Sequence, residues 1–336
     1  MRGKILVINL KLIGDLIVST PAVRSLKKAY PDYNIHFLLR KGFDNVLSGN
    51  PDITTFIAYN KDASKLGLLK KLLYEFKFAL YLRKQKYDIV VALQPGDRYS
   101  IWSYISGAPL RVGVEKQKFS FLFNKHASVL ENNISYLDYY LKIAQTAGGI
   151  PNSLATAFYI TKEASFLANQ LLAGVPQSTH CLVIHPGASD RLRCWSTDNF
   201  ISLAKQIQNL PNVKLIFSFG PAEKDMVEIF KTNFPESVIS TETLGIKTVG
   251  ALIKRSRLCI SNDTSIRHIS VALGVPVITL MPDDISSYWD FYNDPSKELV
   301  VLGKRGIINA EDISRRSLHG IEITFVMKKI REYLKV

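Results

Sequence analysis

The stretch ILVINLKLIGDLIVSTPAVRSLKKAYPD, residues 5 to 32, sets the pattern for the whole chain. Its first six residues predict a buried strand, and the residues from Leu16 onward predict a helix. One glycine and one aspartate, Gly14 and Asp15, stand between them. A nucleotide-binding turn at this point would normally carry several glycines and no acid. The stretch therefore predicts a strand–turn–helix unit whose aspartate has another task.

Short apolar runs alternate with amphipathic stretches along the chain, which is typical of βαβ units around parallel sheets. We predict strands near Lys4–Asn9, Asn34–Leu39, Thr55–Ala58, Asp88–Leu93, Arg111–Val114, Cys181–His185, Val213–Ser218, Leu258–Ser261 and Val275–Leu280. The helices predicted between them include residues 66–86, residues 135–147 and a helix through Leu210 with Thr197 as its N-cap. The predicted fold class is α/β.

A length of 336 residues suits two domains of moderate size better than a single core. The Gly-Gly-Ile-Pro-Asn-Ser stretch at residues 148–153 predicts a break between two similar series of strands. We expect an N-terminal domain at residues 1–160 and a C-terminal domain at residues 177–320. The last helix could belong to either domain, and we assign residues 321–336 to the N-terminal one.

The charge balance, 43 Lys and Arg against 29 Asp and Glu, gives a net charge of +14. Such a charge indicates an anionic partner, which could be nucleic acid, an anionic membrane surface or a phosphorylated substrate. The three cysteines have no metal-ligand spacing and fit a reducing cytoplasm. Asn9, Lys11 and Asp15 interrupt the N-terminal apolar run, so we interpret it as a strand and not as a signal peptide.

Two loops of the second half could hold a nucleotide. In HPGASDRLRCW, residues 185–195, small residues would let backbone N–H groups approach an anion that Arg191 and Arg193 neutralise. The alternative is an ordinary loop with solvated arginines. In FSFGPAEKDM, residues 217–226, Glu223 could accept hydrogen bonds from a ribose, or it could cap the following helix.

A third stretch, LCISNDTSIRHIS, predicts a helix that begins at Thr264 and Ser265 directly after a strand. The free N–H groups and the positive dipole end of such a helix form a pyrophosphate site at the carboxyl edge of a parallel sheet. His268 follows within the first turn. A single histidine there is more often structural than catalytic, although this one stands beside the predicted phosphate site.

These three stretches, together with the N-terminal Gly-Asp pair, resemble the ADP-heptose:lipopolysaccharide heptosyltransferases of glycosyltransferase family 9. The segments VALQPGDRYS and ISGAPLRVGV and the pair Tyr288-Trp289 are similar to the heptosyltransferase III-type branch, which adds a side-branch heptose. The resemblance implies a GT-B fold, in which two Rossmann-like parallel-sheet domains face a cleft. It also implies an inverting transfer of heptose to the lipopolysaccharide inner core without a metal or another cofactor. The implied donor ligands are Ser189, Arg193, Glu223, Asp263, Thr264, Ser265 and His268.

The chain departs from the family pattern at three places. Ser265 stands where glycine or proline is frequent, and Arg193 stands near a position that often carries lysine. The usual Gly-Pro-Ser/Thr after the last strand is replaced by Met281-Pro282-Asp283-Asp284. The last departure bears on how the donor sugar or its phosphate is held. No D-x-D motif appears, which agrees with a reaction that needs no metal.

The N-terminal half is expected to bind the acceptor, a phosphorylated inner-core saccharide in the family. Arg40, Lys41, Arg98 and Lys116 follow predicted strands at the carboxyl edge where a polyanion would dock, although each could be a simple surface charge. The resemblance places the general base of the transferase at Asp15. Near a helix start its ionised form would be favoured and its pKa kept low, and the alternative is that it only caps the helix.

Residues 61–86 carry eight Lys or Arg against two acids, interleaved with Leu, Phe and Tyr. A basic amphipathic helix of this kind can lie on the anionic inner face of a bacterial inner membrane. In the alternative interpretation, its apolar face covers the sheet and its lysines are solvated. We therefore expect a cytoplasmic enzyme that could be peripheral to that membrane.

Three other functions compete with this interpretation. A dinucleotide-dependent oxidoreductase would explain the α/β pattern, but no G-x-G-x-x-G follows any predicted strand. A nucleic-acid-binding protein would explain the charge, but no helix-turn-helix, zinc or RNA-binding signature appears, so we expect no nucleic-acid partner. A transferase of the same fold with another nucleotide sugar or glycan acceptor stays open.

Overall fold

The computed structural model describes residues 3–62, 67–129, 134–289, 292, 296–312 and 316–335. The chain divides into two compact units, Met1–Ala157 and Phe158–Val336. Each unit contains a six-stranded sheet in which every neighbouring pair of strands is parallel. The α/β class predicted from the sequence is confirmed.

The first unit alternates strands and helices. Its strands are β1 (Lys4–Ile8), β2 (Asn34–Arg40), β3 (Thr55–Tyr59), β4 (Ile89–Ala92), β5 (Leu110–Val114) and β6 (Lys125–Ala127). Its helices are α1 (Ile13–Val18), α2 (Thr20–Ala29), α3 (Asp44–Leu47), α4 (Leu68–Lys84), α5 (Asp97–Ile105) and α6 (Tyr136–Thr146). The strand order is β3-β2-β1-β4-β5-β6, so the apolar β1 lies in the middle of the sheet with its side chains buried.

The helix that the sequence predicts from Leu16 onward is in fact two helices, α1 and α2. Pro21 has no N–H group and cannot donate to the carbonyl of Ile17, so the helical ladder is interrupted there. The hydroxyl of Thr20 donates to that carbonyl instead at 2.7 Å, and the hydroxyl of Ser19 donates to the carbonyl of Leu16 at 2.8 Å. Because of this break, α1 is a short helix of six residues that directly follows the loop after β1.

The second unit repeats the same architecture. Its strands are β7 (His180–His185), β8 (Val213–Ser218), β9 (Val238–Ser240), β10 (Leu258–Asn262), β11 (Val277–Pro282) and β12 (Glu298–Gly303). Its helices are α7 (Lys162–Leu171), α8 (Thr197–Gln208), α9 (Lys224–Asn233), α10 (Gly245–Lys254), α11 (Ser265–Ala272), α12 (Ser286–Trp289) and α13 (Ile323–Leu334). The strand order is β12-β11-β10-β7-β8-β9.

The last helix, α13, belongs to the second unit, so the assignment of residues 321–336 to the N-terminal domain is wrong. Val326, Met327 and Ile330 are buried in the hydrophobic core of that unit, and α13 packs against α8. Its apolar face therefore has its partner within the second unit. The predicted N-cap of α8 is also wrong by one residue, because the hydroxyl of Ser196, not Thr197, accepts a hydrogen bond from the N–H of Asn199 at 3.2 Å.

Both sheets have the strand order of a doubly wound fold. The first three strands are added toward one edge of the sheet, and the next three are added from the middle toward the other edge. The direction changes between β1 and β4 in the first unit and between β7 and β10 in the second. Ligands of such sheets bind beyond the carboxyl ends of the strands at this switch point. Each unit therefore has one preferred place for a site.

Candidate functional site

Asp15 lies at the switch point of the first unit, as the third residue of α1. Its side chain is buried, with an exposed fraction of 7%. The phenol of Tyr140 donates a hydrogen bond to Oδ1 at 2.8 Å, and the N–H of Leu12 donates to Oδ2 at 3.4 Å. The carboxyl group thus reaches back to the helix start, as the capping alternative predicts, and it also pairs with a tyrosine of α6.

The expected low pKa of Asp15 is wrong. Burial raises the pKa of this carboxyl group above its usual range, and the hydrogen bond from Tyr140, the charge of Lys11 and the N–H of Leu12 only partly oppose this effect. Six residues of α1 provide a weak dipole, which does not compensate for the loss of water. A raised pKa suits a general base, because a base is most effective when its pKa lies near the working pH.

A second buried polar pair, Asn9 and Gln94, follows β1 and β4 and contacts the loop that carries Asp15. The side-chain amide of Gln94 donates to Oδ1 of Asn9, which also accepts from the N–H of Lys11 at 3.1 Å. The amide of Asn9 donates to the carbonyl of Asp15 at 3.5 Å. These bonds fix the loop that carries Asp15. Gln94 is not among the residues predicted from the sequence, although its place two residues after β4 is a signal of the same kind.

The four cations predicted to bind the acceptor fall into two groups. Lys41 and Lys116 are exposed in the loops that follow β2 and β5. Nε of Arg40 donates to the carbonyl of Leu10. Nε of Arg98 lies 3.1 Å from a carboxyl oxygen of Glu75, and its guanidinium lies over two aromatic rings. The two arginines therefore already have partners within the unit, whereas the two lysines are accessible to a ligand.

In the second unit, Glu223 lies directly against Gly187. A Cβ atom at residue 187 would come within 2.3 Å of Cγ of Glu223, so a larger residue there would displace the Glu223 side chain. Oε2 of Glu223 accepts a hydrogen bond from the N–H of Gly220 at 2.6 Å, and the side chain is 5% exposed. The capping role considered for Glu223 is thus present. The contact also shows that the loops after β7 and β8 meet at this edge.

Asp263 is held between two arginines. Its Oδ2 pairs with Nη2 of Arg193, and its Oδ1 pairs with Nη1 of Arg267 at 3.0 Å. Arg267 is itself completely buried, with bonds to both carboxyl oxygens of Glu298. Both oxygens of Asp263 are therefore engaged within the protein. Nε of Arg193 is buried and has no hydrogen-bond partner among the described residues.

The helix α11 begins beside this ion network. Oγ1 of Thr264 accepts the N–H of Ile266 at 3.3 Å, as an N-cap does, and Ser265 is the first helical residue. Ser189 is exposed in the loop after β7, the strand next to β10. The predicted phosphate loop and the predicted helix start thus lie on adjacent strands, and the ion pair of Arg193 with Asp263 joins them.

His268 is a buried residue of α11. Its Nδ1 lies 2.9 Å from the hydroxyl of Tyr292, and its ring lies 5.5 Å from that of Trp289. Burial and the neighbouring charge of Arg267 hold the pKa of His268 well below its usual range. The imidazole is therefore neutral at physiological pH and does not supply a positive charge to a diphosphate.

The unusual acids at residues 283 and 284 are paired with cations that follow β12. Lys304 pairs with Asp283, and Nε of Arg305 lies 2.8 Å from a carboxyl oxygen of Asp284. Nη1 of Arg305 also lies 3.0 Å from a carboxyl oxygen of Asp190 in the loop after β7. The two acids are thus neutralised locally and do not present a free negative charge.

The described residues meet neither the usual requirement of a metal site nor that of a membrane-spanning helix. Within these ranges, no three His, Cys, Asp or Glu side chains gather in a group that could hold a metal ion. None of the described helices combines the length and the apolar character that crossing a bilayer requires.

The chain is similar in sequence and in fold to known glycosyltransferases. Lipopolysaccharide heptosyltransferase 3 of Escherichia coli strain K12 is 26% identical over 89% of this chain and 93% of its own length. A glycosyl transferase family 9 structure from Veillonella parvula superposes with a TM-score of 0.83 at 20% identity, over 100% of this chain and 99% of that one. The structure of Escherichia coli ADP-heptose lps heptosyltransferase II gives a TM-score of 0.78 at 18% identity, over 99% and 98%.

The fold expected from the resemblance is confirmed, because both sheets and their flanking helices match GT-B heptosyltransferase structures. The family model described as glycosyltransferase family 9 (heptosyltransferase) matches residues 76–303, which is more than half of the chain. The chain therefore belongs to glycosyltransferase family 9, the heptosyltransferase family.

Proposed function

We propose that this glycosyltransferase moves a heptose from ADP-heptose to the phosphorylated inner core of lipopolysaccharide, at the cytoplasmic face of the inner membrane. The observation that carries the donor assignment is the buried Nε of Arg193, which has no partner among the described residues. An unpaired buried donor is costly unless a ligand satisfies it, and a diphosphate oxygen does so with a charge-assisted bond.

The surroundings of Arg193 support an anionic donor. The free N–H groups at the start of α11, at Thr264 and Ser265, add a positive dipole end, and Ser189 adds a hydroxyl. Asp263 would then act indirectly, by orienting Arg193. The replacement of the family's Gly-Pro-Ser/Thr does not oppose this proposal, because Lys304 and Arg305 neutralise Asp283 and Asp284.

On the acceptor side we assign the general base to Asp15 and the reaction to a single inverting displacement. An acceptor hydroxyl must lose its proton as it attacks the anomeric carbon, and a carboxylate with a raised pKa takes that proton effectively. Lys41 and Lys116 would bind phosphates of the acceptor, since both are exposed at the carboxyl edge of the first sheet. Arg40 and Arg98 contribute less, because both have partners within the protein.

The helix α4 supports a peripheral association with the membrane. Leu69, Leu72, Leu73, Phe76 and Leu80 recur at helical spacing and are 37–82% exposed. The opposite face packs on the core through Tyr74, Phe78 and Leu82. The helix thus has two apolar faces, one packed on the core and one exposed. The alternative interpretation, in which α4 only covers the sheet, does not explain the exposed face.

A product assay tests the proposed reaction. The full-length protein is incubated with defined truncated core oligosaccharides, with and without their phosphates, and with ADP-heptose, ADP-glucose or UDP-glucose. We expect mass spectrometry to detect one added heptose, with ADP-heptose as the preferred donor and the phosphorylated acceptor as the better one. Transfer from another nucleotide sugar alone would replace this proposal by the alternative of a different donor within the same fold.

A further inference from the structure

Tyr140 of α6 is a buried residue that has no role in the reaction as proposed above. It is 1% exposed, and its phenol donates to Oδ1 of Asp15 at 2.8 Å across a sequence separation of 125 residues. The rings of Tyr136 and Tyr139 pack beside it at 6.4 and 5.6 Å. A phenol buried among aromatic rings needs a hydrogen-bond partner, and Asp15 provides it.

We infer that Tyr140 is a positioning residue, which holds Oδ1 of Asp15 so that Oδ2 receives the proton of the acceptor hydroxyl. This inference rests on the proposed role of Asp15 as the base. The two carboxyl oxygens are held unequally, since Oδ1 has the short bond from the phenol, whereas the bond from the N–H of Leu12 to Oδ2 is longer, at 3.4 Å. The oxygen with the weaker bond is the one that is free to exchange it for the substrate.

The phenol also affects the protonation of the base. Burial raises the pKa of Tyr140 well above its usual range, so its proton remains in place at the pH values at which enzymes work. As a permanent donor, Tyr140 favours the ionised form of Asp15 and opposes the effect of burial. The charge of Lys11, in the loop after β1, acts in the same direction. Without the phenol, Asp15 would stay protonated to higher pH.

The variant Tyr140→Phe tests this inference, with Tyr139→Phe as the matched control on the same helix. Phenylalanine keeps the ring and its packing and removes only the hydroxyl. We expect the acidic limb of the kcat profile to move up by about one pH unit. We also expect kcat to fall about tenfold on the plateau, with the acceptor KM changed much less. Tyr139→Phe should leave both the profile and kcat unchanged.

A double-mutant cycle with Asp15→Asn separates this inference from the proposed function. If Tyr140 acts through the carboxylate, Tyr140→Phe should have little further effect on the residual turnover of Asp15→Asn. A profile and a kcat equal to those of Tyr139→Phe would overturn the role of Tyr140, while a large loss in Asp15→Asn would leave the proposed base intact. Near wild-type turnover in Asp15→Asn would instead overturn the proposed base itself.

Discussion

At the scale of single residues, the fold keeps Asp15 out of water although ionisation there is unfavourable. Burial raises the pKa of its carboxyl group above that of an aspartate in water, so the unfolded chain is ionised at a lower pH than the folded protein. The stability contributed by this group is complete below the unfolded pKa and is lost as the pH rises through the folded one. At neutral pH the carboxylate therefore lowers the free energy of unfolding, as expected for a group kept for function.

The variant Asp15→Asn should separate stability from activity. The Asn amide oxygen can accept the bond from Tyr140 and carries no charge, so we expect the variant at pH 7 to be at least as stable as the wild type. Its kcat should fall by about 10²–10⁴-fold, the usual contribution of a general base. Chemical denaturation and steady-state kinetics measure the two effects. A variant that binds both substrates and turns over within a few-fold of wild type would show that Asp15 is only a helix cap.

The two neighbouring arginines of the loop after β7 provide a test of the donor site. Arg193→Met should weaken ADP binding by about 1.5–3 kcal/mol, the contribution of a charge-assisted hydrogen bond. Arg191→Met is the control, because Arg191 is exposed and pairs with Asp225 at 3.1 Å. Calorimetry should show an ADP affinity near that of the wild type for the control. Equal affinities for both variants would remove Arg193 from the site.

At the scale of elements, α11 is joined to β11 and β12 by a buried ion pair. Arg267 and Glu298 are both buried, and the hydroxyl of Thr279 on β11 donates to Oε1 of Glu298 at 2.6 Å. The other side of Arg267 holds Asp263, which in turn holds Arg193. A series of ion pairs, from Glu298 through Arg267 and Asp263 to Arg193, therefore links the buried interior of the second unit to the carboxyl edge of its sheet.

This arrangement predicts strong coupling between Arg267 and Glu298. Arg267→Met alone should lower the free energy of unfolding by about 3–5 kcal/mol, because it leaves a buried carboxylate without its partner. The double variant Arg267→Met/Glu298→Met should recover most of this loss, since two apolar side chains of similar volume can replace a buried ion pair. Urea denaturation of the two single variants and the double variant measures the cycle. Additive losses would mean that the pair does not act as a unit.

The sequence predicts the interior of both sheets better than their edges. Central strands such as β1 and β4 are almost entirely apolar, because both faces of a parallel sheet are covered. The unpredicted strands β6, β9 and β12 lie at sheet edges, and β6 and β9 have only three residues each. Three residues are too few to show the alternation of apolar and polar side chains, or the longer apolar run, from which a strand is predicted.

The sequence likewise predicts which loops carry the site but not the partners of their side chains. Asp15, Arg193 and Asp263 each follow a predicted strand. The pairing of Asp15 with Tyr140, or of Asp263 with Arg267, depends on tertiary contacts that no spacing within one segment reveals. The pKa of Asp15 is wrongly predicted for the same reason, because its position near a helix start does not reveal how deeply the carboxyl group is buried.

At the scale of the whole molecule, a net charge of +14 favours an anionic surface, and α4 gives this attraction a specific place. Lys70, Lys77 and Lys84 are exposed at seven-residue spacing, so they form a row along one border of the stripe from Leu69 to Leu80. The stripe is roughly 16 Å long at 1.5 Å per residue. An apolar stripe beside a row of cations fits the interface of an anionic leaflet, where leucines enter the acyl boundary and lysines remain among the headgroups.

Vesicle flotation of the full-length protein tests this surface, with phosphatidylglycerol-containing vesicles compared with neutral phosphatidylcholine vesicles. We expect wild-type protein to float with the anionic vesicles, and less so as salt is added, because each lysine near the surface contributes about 1 kcal/mol of screened attraction. Leu72→Ser/Leu73→Ser/Phe76→Ser should lose binding even at low salt, since about 1.5–3 kcal/mol of apolar transfer is lost per side chain. The control Phe166→Ser/Leu167→Ser removes a similarly exposed apolar pair from α7 and should float like the wild type. Equal flotation with neutral and anionic vesicles, or binding that the α4 substitutions leave unchanged, would contradict a membrane role for this helix.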